Sequence, residues 1–95
     1  MSKTFTAQNP ATGQAVGAEI AEWDLVQTSA AIKAAESVKA KLASTNPTQR
    51  AALLNAIADA IEADKEKLAD TAHLETALPM PRLTGEVMRT VIQIR

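Results

Sequence analysis

His73 is the only imidazole of the chain, and it lies between Asp70 and Glu75. A histidine beside carboxylates can relay protons or bind a metal. A metal site asks for more, because zinc needs several His, Cys or carboxylate ligands converging on one point. The expected role of His73 is that of a partly exposed helix residue pairing with a carboxylate. Glu75 and Glu86 could share acid–base work if the fold brought them together. They fall on different elements, and a solvated face is the plainer expectation. Glu62, Glu66 and Asp70 recur at intervals of four along one side of a helix. With Lys65 and Lys67 close by, that pattern reads as a solvated ridge with local ion pairing.

The chain contains no cysteine, which excludes thiolate nucleophiles, thiolate zinc sites and disulfides within these residues. Its three glycines stand apart at 13, 17 and 85, so no glycine-rich loop is available to cradle a phosphate. Met80 and Met88 read as core filler. Trp23 reads as a staple on the first turns of the helix that follows it, with an interface anchor as the alternative. Residue chemistry therefore assigns no catalytic, cofactor-binding or metal-binding residue.

Bulk properties narrow the class. A length of 95 residues leaves room for a single segment, 1–95, with no internal boundary. The 46% hydrophobic content is inflated by 20 alanines, since Leu, Ile, Val and Phe together also number 20. That is about a fifth of the chain, the lower edge for a globular sequence. Either the apolar residues are well placed, or the fold borrows surface from a partner. Net charge is −1, and one Trp, one Phe and no Tyr make up the aromatics. A nucleic-acid binder would show a basic face and stacking rings, so no nucleic-acid partner is expected. Apolar runs are too short to span a bilayer and the N-terminus lacks an apolar signal core. No membrane association and a cytoplasmic setting are expected.

The elements follow from local signals. Thr4–Ala7 and Ala15–Ile20 are β-prone around Asn9-Pro10-Ala11-Thr12-Gly13, which predicts a hairpin with a five-residue loop. A lone hairpin is marginal in water and must lie on something else. A helix is predicted over 24–44, capped by Asp24 with Gln27 or starting later at Thr28 or Ser29. Ile32, Ala35, Val38 and Leu42 form its narrow apolar stripe. Asn46, Pro47 and Gln49 open the next helix. Leu54, Ile57, Ala58 and Ile61 share a face there, and Leu68 and Ala72 continue it. One long helix with a bend near Asp64 is favoured over two. Leu78-Pro79-Met80-Pro81 ends it, and Pro81 opens a last helix through Leu83, Val87, Met88, Val91, Ile92 and Ile94. That helix reads as apolar nearly all round and in need of burial on several faces.

These residues carry a resemblance. Asn9-Pro10-Ala11-Thr12-Gly13 resembles the turn of the first hairpin in aldehyde dehydrogenases. Arg50-Ala51-Ala52-Leu53-Leu54, Ile57-Ala58-Asp59 and Ile61-Glu62 are similar to a helix of that family, and Leu74-Glu75-Thr76 to the Leu-Glu-Thr that follows it. The order and gaps match over about residues 4–95. Most of the family continues with Gly-Lys-Pro, where this chain has Ala77-Leu78-Pro79. That stretch, with Arg82-Leu83, Gly85-Glu86, Arg89-Thr90 and Gln93, resembles the 2-ketoglutarate semialdehyde (2,5-dioxovalerate) dehydrogenase branch and certain NADP-dependent fatty aldehyde dehydrogenases. The region 24–44 matches only by helix pattern, with Lys39 where a large apolar residue is common.

The resemblance implies oxidation of an aldehyde to an acid with NAD or NADP. In that family a cysteine thiolate attacks the aldehyde, hydride passes to the nicotinamide, and water releases the thioester. The family's nucleophile, base, oxyanion and cofactor residues all lie beyond this length, so none is carried over to a position here. The implied fold is mainly α, three to four helices with an N-terminal β-hairpin, as a fragment of an α/β coenzyme-binding domain. It would flank the dinucleotide fold without containing its phosphate site. No bound cofactor is expected on this segment, and the expected partners are the rest of the parent enzyme or a second copy. The alternative is a stand-alone small helical protein acting by association.

Overall fold

The computed structural model describes residues 3–95. They form strands β1 (Thr4–Gln8) and β2 (Ala15–Ala21), then helices α1 (Leu25–Ala43), α2 (Pro47–Ala63), α3 (Lys65–Thr76) and α4 (Met80–Ile94). The expected hairpin and mainly helical fold are present, with four helices.

The two strands pair antiparallel. Asn9 organises the turn between them. Its side-chain oxygen accepts from the Ala11 N–H at 2.9 Å, and its carbonyl accepts from the Gly13 N–H at 2.7 Å. Gly13 sits at φ 73°, a region that favours glycine. The loop runs over residues 9–14, one longer than expected, because the Asn9 N–H donates to the Gln14 carbonyl (2.9 Å) and Gln14 closes the loop, while β2 begins at Ala15 as expected. The register also jumps: Phe5 pairs with Ile20 but Ala7 pairs with Val16. Thr6 thus faces Gly17, Ala18 and Glu19 together, and Gly17 at φ 78° absorbs the extra length as a bulge.

The starts of α1 and α2 carry reciprocal caps. Asp24 accepts from the Gln27 N–H at 2.8 Å while the Gln27 side chain accepts from the Asp24 N–H at 3.0 Å. Thr28, the rival start, is already inside α1 and donates its hydroxyl to the Asp24 carbonyl. Asn46 and Gln49 repeat the box for α2, with Pro47 in the first turn.

The favoured single long helix is divided at Asp64. Its backbone lies at φ −99°, ψ 11°, and its N–H bonds both Ala60 and Ile61 carbonyls, a tightened last turn. Its side chain makes no cap bond to α3. Packing explains the break. Both α2 and α3 lie against α4, yet a straight rod over 47–76 would measure about 45 Å against about 22 Å for α4. Only a broken rod lays both halves on so short a helix.

A second correction concerns α4, which starts at Met80, one residue before Pro81. It is apolar on one face only. Leu83 and Val91 are buried, and Met80, Val87 and Ile94 are half-buried at helical spacing, while Ile92 remains 69% exposed. Ala58 of α2 and Ala69 of α3 complete the buried set among the described residues. Of the other stripe residues of α2 and α3, Leu54, Ile57 and Leu68 are exposed and Ile61 and Ala72 half-buried, and α1 buries none of its residues. β1 leans on α3, which gives the hairpin its support.

The molecule is a slab of 48 × 40 × 15 Å. A helix with side chains is about 10–12 Å across, so the slab is little more than one helix layer thick. Its radius of gyration is 17.4 Å, against about 12 Å for a compact domain of this length. Among the described residues no helix is long and apolar enough to cross a membrane.

The corner between α3 and α4 is backbone-strained. Ala77 takes φ 61°, ψ 14°, and its N–H donates to the His73 carbonyl at 2.8 Å. A left-handed residue with a Cβ costs about 1–2 kcal/mol, while glycine gives back part of that through a looser unfolded chain. Ala77→Gly is therefore expected to raise stability by about 0.5–1 kcal/mol, read as a higher urea midpoint at unchanged slope. The one-faced burial of α4 makes a second contrast. Val91→Ala should cost about 2 kcal/mol through the cavity it leaves, and Ile92→Ala no more than about 0.5 kcal/mol. Equal losses in urea titrations would contradict the assignment of the buried face.

Candidate functional site

The ring of His73 is used for structure. Its Nδ1 lies 2.6 Å from the Leu78 carbonyl oxygen. A carbonyl can only accept, so Nδ1 carries the proton in this contact. The expected partner was a carboxylate, and the structure corrects this to a backbone oxygen. The reason is the left-handed turn at Ala77, which swings the Leu78 carbonyl back over the last turn of α3. The ring thereby satisfies a backbone acceptor at a helix end.

The carboxylates do not converge. Glu86 is bridged to Arg82 at 3.4 Å and lines a groove between α3 and α4, whereas Glu75 is not among the residues lining it. Nothing there couples the two for proton transfer. The ridge of Glu62, Glu66 and Asp70 is also split. Glu66 and Asp70 stay exposed beside Lys65 and Met80, while Glu62 is drawn to a partner far along the chain. That partner is Arg95. Its two terminal nitrogens donate to Asp59 Oδ1 at 2.7 Å and Glu62 Oε2 at 2.9 Å. Asp59 first, then Glu62, raises the guanidinium pKa above its ordinary value. The clamp ties the end of α4 to α2, and sequence reasoning missed it. Asp59 and Glu62 are three apart on one helix face, which marks a carboxylate pair, but nothing local names a cation more than thirty residues away.

Trp23 is 62% exposed, so a staple on α1 buries little of its ring. Met80 and Met88 are half-buried, as core filler would be. Among the described residues, no group of three or more His, Cys, Asp or Glu could hold a metal ion. A dinucleotide phosphate finds no cradle of the usual kind either. Among the described residues the one strand-to-helix junction runs from β2 through Asp24 into α1, and the Asp24 carboxylate already occupies the helix N-terminus. An anion there would meet a negative charge where the fold needs a glycine turn. These residues do not fit a nicotinamide dinucleotide by themselves, and no step of a redox reaction is derived from them.

What the arrangement does offer is surface. The α3–α4 groove measures about 430 Å³ and is mostly apolar, walled by Ile61, Leu68, Ala72, Leu83 and Val87 with Glu86 at its side.

Comparison with known proteins gives this surface a context. The chain is 56% identical over 46 residues to alpha-ketoglutaric semialdehyde dehydrogenase 2 of Azospirillum brasilense. That stretch is 48% of this chain and 9% of the relative, so the likeness spans a small part of that enzyme. The relative belongs to the branch that the Glu75–Pro79 pattern resembles. The model of the aldehyde dehydrogenase family matches residues 1–95, the whole sequence. A hairpin turned by Asn9 to Gly13, followed by helices whose apolar faces are largely uncovered, thus has its explanation in kinship: the chain belongs to the aldehyde dehydrogenase family.

Proposed function

We propose that these residues are the N-terminal flank of an NAD(P)-dependent aldehyde dehydrogenase that oxidises 2-ketoglutarate semialdehyde to its carboxylic acid. The family match over residues 1–95 carries this reading. The name of the Azospirillum relative supports the choice of substrate. A cytoplasmic, homo-oligomeric parent enzyme is part of the same proposal.

In that setting the segment itself does no chemistry. It has no cysteine to attack a carbonyl, and its histidine is engaged with Leu78. Its contribution is mechanical. The α4 seam, the Arg95 clamp and the Ala77 corner hold a thin helical layer in shape, and the layer's uncovered apolar faces fit a flank that packs on a larger body. A domain is built of at least two packed layers, and a slab of 15 Å supplies one.

The 95-residue polypeptide, given 2-ketoglutarate semialdehyde with NAD or NADP, is expected to form no reduced nicotinamide. The product of the gene read in frame past codon 95 is expected to form it at an enzymatic rate. Reduced cofactor from the short chain would overturn the proposed inactivity. A native stop after codon 95 would replace the enzyme reading with a stand-alone protein acting by association.

A further inference from the structure

Helix α1 is held together by contacts within its own length. The main packed pairs of elements are β1 with β2, α2 with α4, α3 with α4 and α3 with β1, and α1 belongs to none of them. All nineteen of its residues are exposed. Among the described residues, every side-chain hydrogen bond and ion pair that α1 makes closes within residues 24–45. At its start stand the Asp24–Gln27 box and the Thr28 hydroxyl on the Asp24 carbonyl. Mid-helix, Ser37 donates to the Ala34 carbonyl at 2.7 Å, and Lys39 lies 3.7 Å from Glu36. At its end, the hydroxyls of Ser44 and Thr45 donate to the carbonyls of Lys41 (2.7 Å) and Leu42 (2.6 Å). Arg50 of α2 reaches back to Thr45, in the loop beyond α1.

Length and composition separate α1 from the helices of the seam. An isolated helix shorter than about 12–15 residues is marginal in water even when rich in alanine. Helix α3 has twelve residues and α4 fifteen, and α4 carries Pro81 and Gly85. Both therefore depend on the burial of Leu83 and Val91 for their order. Helix α1 is longer, six of its nineteen residues are alanine, and no glycine or proline interrupts it. Propensity and a capping box favour it locally. What it lacks is any buried side chain to couple it to the rest.

We infer that α1 is a helical strap with its own folding equilibrium, opening and re-forming between residues 24 and 45 while the seam of α4 on α2 and α3 stays closed. A helix with local stabilisation alone opens at a free energy set by those local terms, and the seam opens at a free energy set by its packing. The strap can thus be ordered or released by its surroundings without loosening the layer that α4 holds. The inference is independent of the redox reading, since it rests on contacts within this chain.

The test is amide hydrogen exchange of the 95-residue chain, read residue by residue by nuclear magnetic resonance. Amides in the middle of α1 are expected to exchange at least about ten-fold faster, relative to their unstructured rates, than those around Ala58, Leu83 and Val91. Two variants check the uncoupling from both sides. Ala34→Gly/Ala35→Gly should abolish what protection α1 has and lower the helical circular dichroism, with seam protection unchanged. Val91→Ala should lower seam protection by about ten-fold or more and leave α1 as it was. That second expectation holds even if the seam of the variant unfolds altogether. Protection in α1 within ten-fold of the seam, or either variant lowering both regions together, would overturn the inference.

Discussion

The fold hangs on one seam, the face of α4 laid across α2 and α3. Its large side chains, Leu83 and Val91, are buried where α2 and α3 offer Ala58 and Ala69. Alanine on one side lets helix backbones approach closely, and the bulkier residue on the other fills the space between them. With about a fifth of the sequence in Leu, Ile, Val and Phe, the chain has little apolar volume to spend elsewhere. The seam is where that volume is concentrated, and the broken rod at Asp64 is a consequence of it.

Two polar devices at opposite ends of α4 support the seam. At its start, the left-handed Ala77 turns the chain, and His73 ties down the Leu78 carbonyl that the turn would leave unpaired. At its end, Arg95 bridges to Asp59 and Glu62 on α2. The second device is solvent-exposed, and pairs of that kind add little to stability even when their geometry is good. Its effect is on alignment, because a guanidinium bonded to carboxylates one turn apart fixes where the end of α4 meets α2.

The same seam accounts for what is left open. Helices α2 and α3 each turn one narrow strip toward α4, and their other apolar residues find no cover within the slab. Helix α1 follows a hairpin that leans on α3 and is released into solvent by a capped, well-formed start. These uncovered apolar residues are the surface on which the proposed packing against a larger body rests.

The sequence by itself determined the local punctuation. Asp24 with Gln27 and Asn46 with Gln49 were legible because a cap is a contact between residues three apart. The Asn9 turn, the proline-bounded corner and the family motifs were legible for the same reason. So was the absence of cysteine, which is a matter of composition. Only the tertiary structure decided how the rod divides at Asp64, which of the apolar residues are buried, and that Arg95 reaches Asp59 and Glu62. It also gave His73 a carbonyl partner in place of a carboxylate. Each of these depends on a neighbour brought close by packing against α4. A stripe of apolar residues states that a face can be buried; whether it is depends on what another helix presents to it, and neither spacing nor residue type carries that information.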